Sequence, residues 1–457
     1  MKNENQRLRD IALDILLTIG ESGGFSHLVI DQKLKKSQLE LRDKALLTEL
    51  VYGTMQHKLT LQYYTNYFVK KPEKMKNWVK WLFYLSIYQM EYLEKIPDHA
   101  IIHESVEIAK NRGHKGIANL VNGVLRTIQR NGLPDLNNIT DLIERLSIQT
   151  SHPYWLVKRW FLQFGEEITR EMCETNTAHK QMSIRVQPLK IRRDELMKQL
   201  ENDGIHTKTS PISDQGMIIE EGNVLNHETF QQHFFTVQDE SSMLVAELMD
   251  IKQGMTILDS CSAPGGKTTH IAEKMQDNGE IYAYDLHEKK AKLVAKKAKE
   301  LDLTCIQVGQ KDARKLQETH SKETFDRILV DAPCSGLGVL RSKPDIRYNK
   351  KEEDIHQLAR IQKDILTHVL PLLKKDGKLV YSTCTVDKEE NEQMIQSFLD
   401  ENPEYKIDSS FFEELPEVLK SAKGRTQFGI QIFPQDLDSD GFFITRIMYQ
   451  DNSNVSR

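Results

Sequence analysis

Apolar side chains recur along the first part of the chain at the spacing of one helix face. Leu8, Ile11, Ala12, Ile15, Leu16 and Ile19 follow the i, i+3, i+4 rule. Similar stripes run through Leu46–Met55, Trp78–Tyr88, Ile101–Ala109 and Ile117–Ile128 before Asn131-Gly132-Leu133-Pro134 breaks the pattern. This part reads as an all-α bundle. Between 150 and 235 the signal is mixed, with helices expected at Trp155–Phe164 and Arg193–Asn202 and strands at Met182–Val186 and Met217–Glu220. A small α/β linker domain is expected there. From Val237 onward strands and helices alternate. The strands are Thr256–Leu258, Glu280–Asp285, Thr304–Val308, Arg327–Asp331 and Lys378–Tyr381, with helices such as Lys289–Leu301 and Glu352–Leu373 between them. That rhythm predicts a parallel, doubly wound, Rossmann-like α/β sheet, whose ligands bind at the carboxyl ends of the strands. Asp438–Ile447 reads as a closing strand, with Phe442 and Phe443 in the core. The expected organisation is a multidomain chain divided at 1–135, 150–235 and 236–450.

Composition narrows the class. With 39% hydrophobic and 28% charged residues and no long apolar run, the 457-residue chain reads as globular, with no membrane association. The first ten residues hold no apolar stretch, so a cytoplasmic location is expected. Five cysteines without a CxxC pair suggest neither a disulfide framework nor a metal site. A net charge of −5 leaves no global footprint for nucleic acid, but Lys110, Arg112, Lys115, Arg126 and Arg130 lie in a stretch without one acid. A phosphate-binding face is expected there. The cations Arg341, Lys343 and Arg347 are read as further phosphate contacts. A monomer is expected.

The candidate chemistry sits at strand ends. Ile257–His270, "ILDSCSAPGGKTTH", is a strand running into a glycine-rich turn and a helix. Cys261 stands where a Walker A loop needs glycine, and GxGxxG is absent. A nucleoside cofactor without pyrophosphate remains, and S-adenosylmethionine fits best. Asp285 is placed for the ribose hydroxyls and Asp312 for the adenine amino group. Two further strands end in cysteine motifs, "DAPCSG" with Cys334 and "YSTCTV" with Cys384. Carbon 5 of a pyrimidine is a poor nucleophile until a thiolate adds to carbon 6, and a second thiol can assist release. Spacing alone leaves open which cysteine attacks. Asp331, beside Cys334, is placed to hold the target base.

"LDSCSAPGGKT", "DAPCSGLG" and "YSTCTVDKEENE" resemble the signature motifs of the RNA 5-methylcytosine methyltransferases of the Sun/Fmu type. His114–Arg126, "HKGIANLVNGVLR", resembles the NusB-like RNA-binding domain. The resemblance covers nearly the whole chain. It implies a class I methyltransferase domain behind a NusB-like bundle, acting on cytidine in 16S ribosomal RNA, naked or within a partly assembled small subunit. It further implies that Cys261, Ser262, Ala263, Pro264, Gly265, Gly266, Lys267, Asp285, Asp312 and Asp331 contact S-adenosylmethionine. By the same resemblance Cys384 is the nucleophile and Cys334 assists release, while Ser262 departs from the family's usual alanine. Two other readings compete. In an amino-methyltransferase, "DAPC" would replace an Asp/Asn-Pro-Pro-aromatic loop; in an RNA-binding assembly factor, the bundle alone would do the work.

Overall fold

The computed structural model describes residues 8–22, 29, 30, 32–34 and 39–450. These form two compact units. The first comprises the chain through Ala178 together with Leu340–Lys350, and the second comprises His179–Val339 with the chain from Lys351 onward.

Among the described residues of the first unit the main helices are α1 (Leu8–Ser22), α2 (Leu41–Gln56), α3 (Lys58–Phe68), α4 (Asn77–Tyr92), α5 (Asp98–Arg112), α6 (Lys115–Asn131), α7 (Leu142–Gln149) and α8 (Tyr154–Thr175). The periodic stripes are the buried faces: Ala12, Ile15, Leu16 and Ile19 of α1 are at most 2% exposed and share one core with Leu82, Phe83 and Leu125. The charge pattern needs correction. Arg112 reaches across to α1, donating to Asp10 and Asp14, and Lys110 pairs with Glu107. For Arg112 the fold supplies the acids that the local sequence lacks, so Lys115, Arg126 and Arg130 stay exposed, together with Lys110 in its surface pair.

The segment Leu340–Lys350 brings a second correction. Arg347 is fully buried and spends its donors on the carbonyls of Thr150, Ser151 and Leu340. Arg341, 8% exposed, donates to the Ala178 carbonyl at 2.9 Å. A guanidinium offers five donors, and backbone carbonyls use them here as phosphates would elsewhere. Neither arginine is a phosphate contact; Lys343 is exposed.

The second unit opens with a four-stranded antiparallel sheet of β1 (Met182–Val186), β2 (His206–Thr209), β3 (Gly216–Glu221) and β4 (Phe235–Val237), in the order β2-β3-β1-β4. Helix α9 (Arg193–Asn202) closes its core through Leu196 and Leu200. Helix α10 (Glu240–Glu247) then leads to the larger sheet: β5 (Thr256–Asp259), β6 (Glu280–Asp285), β7 (Ile306–Gln310), β8 (Phe325–Asp331), β9 (Leu373–Thr383), β10 (Tyr405–Ile407), β11 (Arg425–Thr426), β12 (Gly429–Ile432) and β13 (Phe442–Tyr449). Helices α11 (Gly266–Lys274), α12 (Glu288–Glu300), α13 (Glu352–Val369) and α14 (Glu392–Glu401) alternate with its strands. The sheet order is β11-β12-β13-β9-β8-β5-β6-β7, with β10 on β13. Strands β5 to β9 are parallel, as expected, whereas β13 runs antiparallel to both β9 and β12. The link from β12 to β13 is too short for the crossover that parallel pairing requires, so the closing strands make the sheet mixed. Phe442 and Phe443 are core residues. From β5 the chain moves out to β6 and β7 and then returns to β8 on β5's other side. This switch point brings the carboxyl ends of β5 and β8 together.

Candidate active site

Strand β5 delivers the chain into the glycine-rich turn at the switch point. Ser262 donates both its amide and its hydroxyl to the Tyr284 carbonyl at the end of β6, at 2.8 and 3.0 Å. The serine that departs from the family pattern therefore keeps its hydroxyl satisfied. Gly265, at φ +100°, caps α11, and a Cβ there would fall 3.2 Å from the Val294 Cα. Only glycine relieves both constraints. Fully buried Arg185 of β1 holds the turn from behind, donating to the Gly266 carbonyl at 2.8 Å and to Glu273 at 2.7 Å.

A cavity of about 200 Å³ lies above this turn, lined among others by Cys261, Ser262, Ala263, Pro264, Gly266, Lys267 and Asp331. Gly265, Asp285 and Asp312 do not line it. Asp285 ends β6, 8% exposed, and accepts the His287 amide at 2.9 Å. Asp312 caps a short helix and accepts a two-pronged contact from Arg314, which holds its carboxyl below the usual range.

Asp259 and Lys297 are among the cavity residues that the sequence did not assign to the site, beside Val237, Gln238, Asp239 and Ser242. Asp259 is buried; one carboxyl oxygen accepts from Thr268 at 2.7 Å and the other has no partner. Burial pushes its pKa up to about 7 despite that bond. Lys297, from α12, is held down to about 8, first by burial and then by Arg185. Asp259 is legible as the acid closing its strand, whereas nothing distinguishes Lys297 from the other lysines of its helix.

Strands β8 and β9 carry the remaining candidates. Asp331 and Ser382 are partners in the parallel ladder, and the Ser382 hydroxyl donates to Asp331 at 2.8 Å. Lys267 donates to the other Asp331 oxygen at 2.7 Å. Burial opposes the Lys267 ammonium, but Asp331 outweighs it and raises the pKa. Beyond the ends of these strands, the Cys334 and Cys384 sulfurs lie 3.4 Å apart. Their loops are clasped below: the Ser335 hydroxyl meets the Thr385 hydroxyl at 2.7 Å, and Glu390 accepts from the Ser335 amide, the Ser335 hydroxyl and Gln362. Gly338 donates to the Cys384 carbonyl at 3.0 Å, and a Cβ at Gly338 would strike the Gly441 carbonyl oxygen at 1.9 Å. A side chain there would force the thiol loops apart.

The chain is similar to known proteins along nearly its whole length. A family model described as 16S rRNA methyltransferase RsmB/F matches residues 246–448. The probable ribosomal RNA small subunit methyltransferase B of Bacillus subtilis (strain 168) is 47% identical over 439 residues, covering 96% of this chain and 97% of that protein. The chain belongs to this methyltransferase family. The NusB family matches residues 6–130, and the ferredoxin-like domain of RsmF/B-like methyltransferases matches 152–225. The Synechocystis relative of the same probable designation is 33% identical, covering 96% of this chain and 98% of its own length. Among solved structures, the crystal structure of PH0851 superimposes with a TM-score of 0.79 at 26% identity, over 96% of this chain and 98% of that one. A methyltransferase homolog protein from Pyrococcus horikoshii reaches 0.58 at 27% identity, covering 68% of this chain and 100% of its own. The larger sheet is thus the Rossmann-like sheet of a family methyltransferase, carrying its cysteine motifs on adjacent strands.

The clasp has a measurable signature. Burial raises Glu390 from its ordinary 4.5 to about 7, even with the Ser335 bonds pulling the other way. A carboxyl raised on folding contributes stability that is complete below 4.5 and is lost as the pH rises through about 7. Glu390→Gln should therefore shrink the fall in unfolding free energy between pH 5 and pH 8 by roughly 3 kcal/mol. Urea denaturation at both pH values checks this; an unchanged slope would exclude Glu390 as the titrating group.

Proposed function

We propose that this protein transfers a methyl group from S-adenosylmethionine to carbon 5 of a cytidine in 16S ribosomal RNA, through a covalent bond between Cys384 and the base. The observation that carries this reading is the pair of thiols 3.4 Å apart beyond the ends of the adjacent strands β8 and β9, β8 lying next to the strand that enters the glycine-rich turn. A transferase acting on an exocyclic amine would need neither thiol.

The residues of the turn fit the cofactor. Gly266 leaves room for close approach, the first amides of α11 face no helical acceptor, and the free Asp259 oxygen suits a cationic ammonium. When bound, S-adenosylmethionine supplies an electrophilic methyl group. The protein's part is to make carbon 5 nucleophilic. Cys334 is raised well above the usual thiol range, chiefly by its hydrogen bond to Cys384 and then by burial, and the resemblance of "YSTCTV" to the family motif makes Cys384 the thiolate of the pair. The Lys267 ammonium, close enough to feel charge on Cys384, favours the same thiolate. Cys384 adds to carbon 6, and Asp331 holds the amino or ring nitrogen edge of the base. After transfer, a base removes the carbon 5 proton, the carbon 6–sulfur bond breaks, and Cys384 departs as the thiolate. Cys334 assists that release.

Asp285 gives the cofactor assignment its own test. It would accept the ribose hydroxyls, so Asp285→Ala should weaken S-adenosylmethionine binding by roughly 1–3 kcal/mol. Calorimetry reads this directly, and an unchanged affinity would remove Asp285 from the site. The reaction itself is tested by mapping 5-methylcytosine in ribosomal RNA from cells with and without the protein.

A further inference from the structure

The first unit contains a groove that the reaction above does not use. It encloses about 870 Å³, against about 200 Å³ over the glycine-rich turn. Helix α3 contributes Lys58 and Tyr63, Tyr154 opens α8, Glu144 comes from α7, and Tyr348 and Lys350 come from the segment packed into this unit. The chemistry is specific. The Lys58 ammonium sits 4.5 Å from the centre of the Tyr348 ring and 5.6 Å from that of Trp81. Among the described residues no acid pairs with it; burial alone lowers its pKa. Such a cation lacks an anion. Around it stand phenol rings, of which Tyr154 is 45% exposed and so open to a ligand. Glu144 is exposed on the same wall.

An unpaired cation beside stacking surfaces is the way single-stranded nucleic acid is held, because every base offers a π-face and every linkage a phosphate. Rings recessed in a groove reach bases that are splayed out of a helix and miss those stacked within one. An acidic peptide would satisfy Lys58 but would face Glu144 and Asp141 and leave the rings without purpose. A base can instead donate its amino group to a carboxylate. We propose that this groove binds an unpaired stretch of the substrate RNA, with a base on Tyr154 and phosphates at Lys58 and Lys350. The inference rests on RNA being the substrate. It locates a second anchoring point, made jointly by the bundle and the segment that begins six residues beyond Cys334.

The test uses the full-length protein and anisotropy titrations with two probes, a short single-stranded RNA and a fully paired hairpin. Tyr154→Ala should weaken the single-stranded probe about tenfold. Lys350→Ala should lower its salt slope by about 0.7, the value for one phosphate on a single strand. Lys58→Met should do both, and S-adenosylmethionine affinity should stay unchanged in all three. Should Lys58→Met unfold, Tyr154→Ala and Lys350→Ala decide alone, since both side chains reach solvent. Wild-type affinity in those two variants overturns the proposal. Loss confined to ribosomal protein or partly assembled subunits, with free RNA binding intact, also overturns it by making the groove a protein site. If the wild-type protein binds S-adenosylmethionine but neither RNA, the substrate reading itself fails, and this inference with it.

Discussion

Cys384→Ser is expected to abolish methylation and to form no covalent complex with RNA, because a serine hydroxyl is far harder to ionise than a thiol. Cys334→Ser should behave differently. Its hydroxyl can still donate to Cys384 across the 3.4 Å now spanned by the two sulfurs, so attack and methyl transfer proceed. Release then stalls, and a protein–RNA adduct that survives denaturant should accumulate when S-adenosylmethionine is supplied. A denaturing gel with labelled ribosomal RNA, run with and without cofactor, separates the cases. An adduct from Cys384→Ser and none from Cys334→Ser would exchange the two roles. If both variants still methylate and neither forms an adduct, the thiols are structural and an amino-methyltransferase becomes the better reading.

The second large effect is expected at the Lys267–Asp331 pair. With side chains only 15% and 24% exposed, the pair is mostly withdrawn from water. Asp331→Asn leaves the Lys267 ammonium without its strongest counterion and the base without its acceptor. Breaking a fully buried pair costs about 3–5 kcal/mol, and the residual exposure here reduces that to about 2 kcal/mol. Methyl transfer should fall by about 100-fold or more. Combining Lys267→Met with Asp331→Asn removes the stranded charge, so the double variant should regain stability without regaining turnover. Recovery of both would mean that the pair is a structural tie and that Asp331 does not touch the base. Thermal unfolding and single-turnover assays on the two variants and the wild type decide this.

Much of the molecule is legible in the order of its residues, and the reason is local. A helix face repeats every three or four residues and a buried strand shows as a short apolar run, so Leu8–Ile19 and Arg327–Asp331 stand out. Parallel strands point their carboxyl ends to one side, so motifs that follow strands are expected to converge, and the Cys334 and Cys384 loops do. Other features depend on atoms distant in the chain. Arg112 looks like part of a basic face until α1 supplies Asp10 and Asp14 from about a hundred residues away. Arg347 looks like a phosphate ligand until the carbonyls of Thr150 and Ser151 take its donors. Glu390 is one acid among several in "DKEENE", and only its burial against Ser335 and Gln362 makes it the clasp between two loops. Charge and hydrogen bonding are settled by whichever partner excludes water, and side-chain order does not record that partner. The sequence by itself determined the elements, the motif positions and the candidate chemistry; only the tertiary structure decided which polar groups are free to act and which are already engaged.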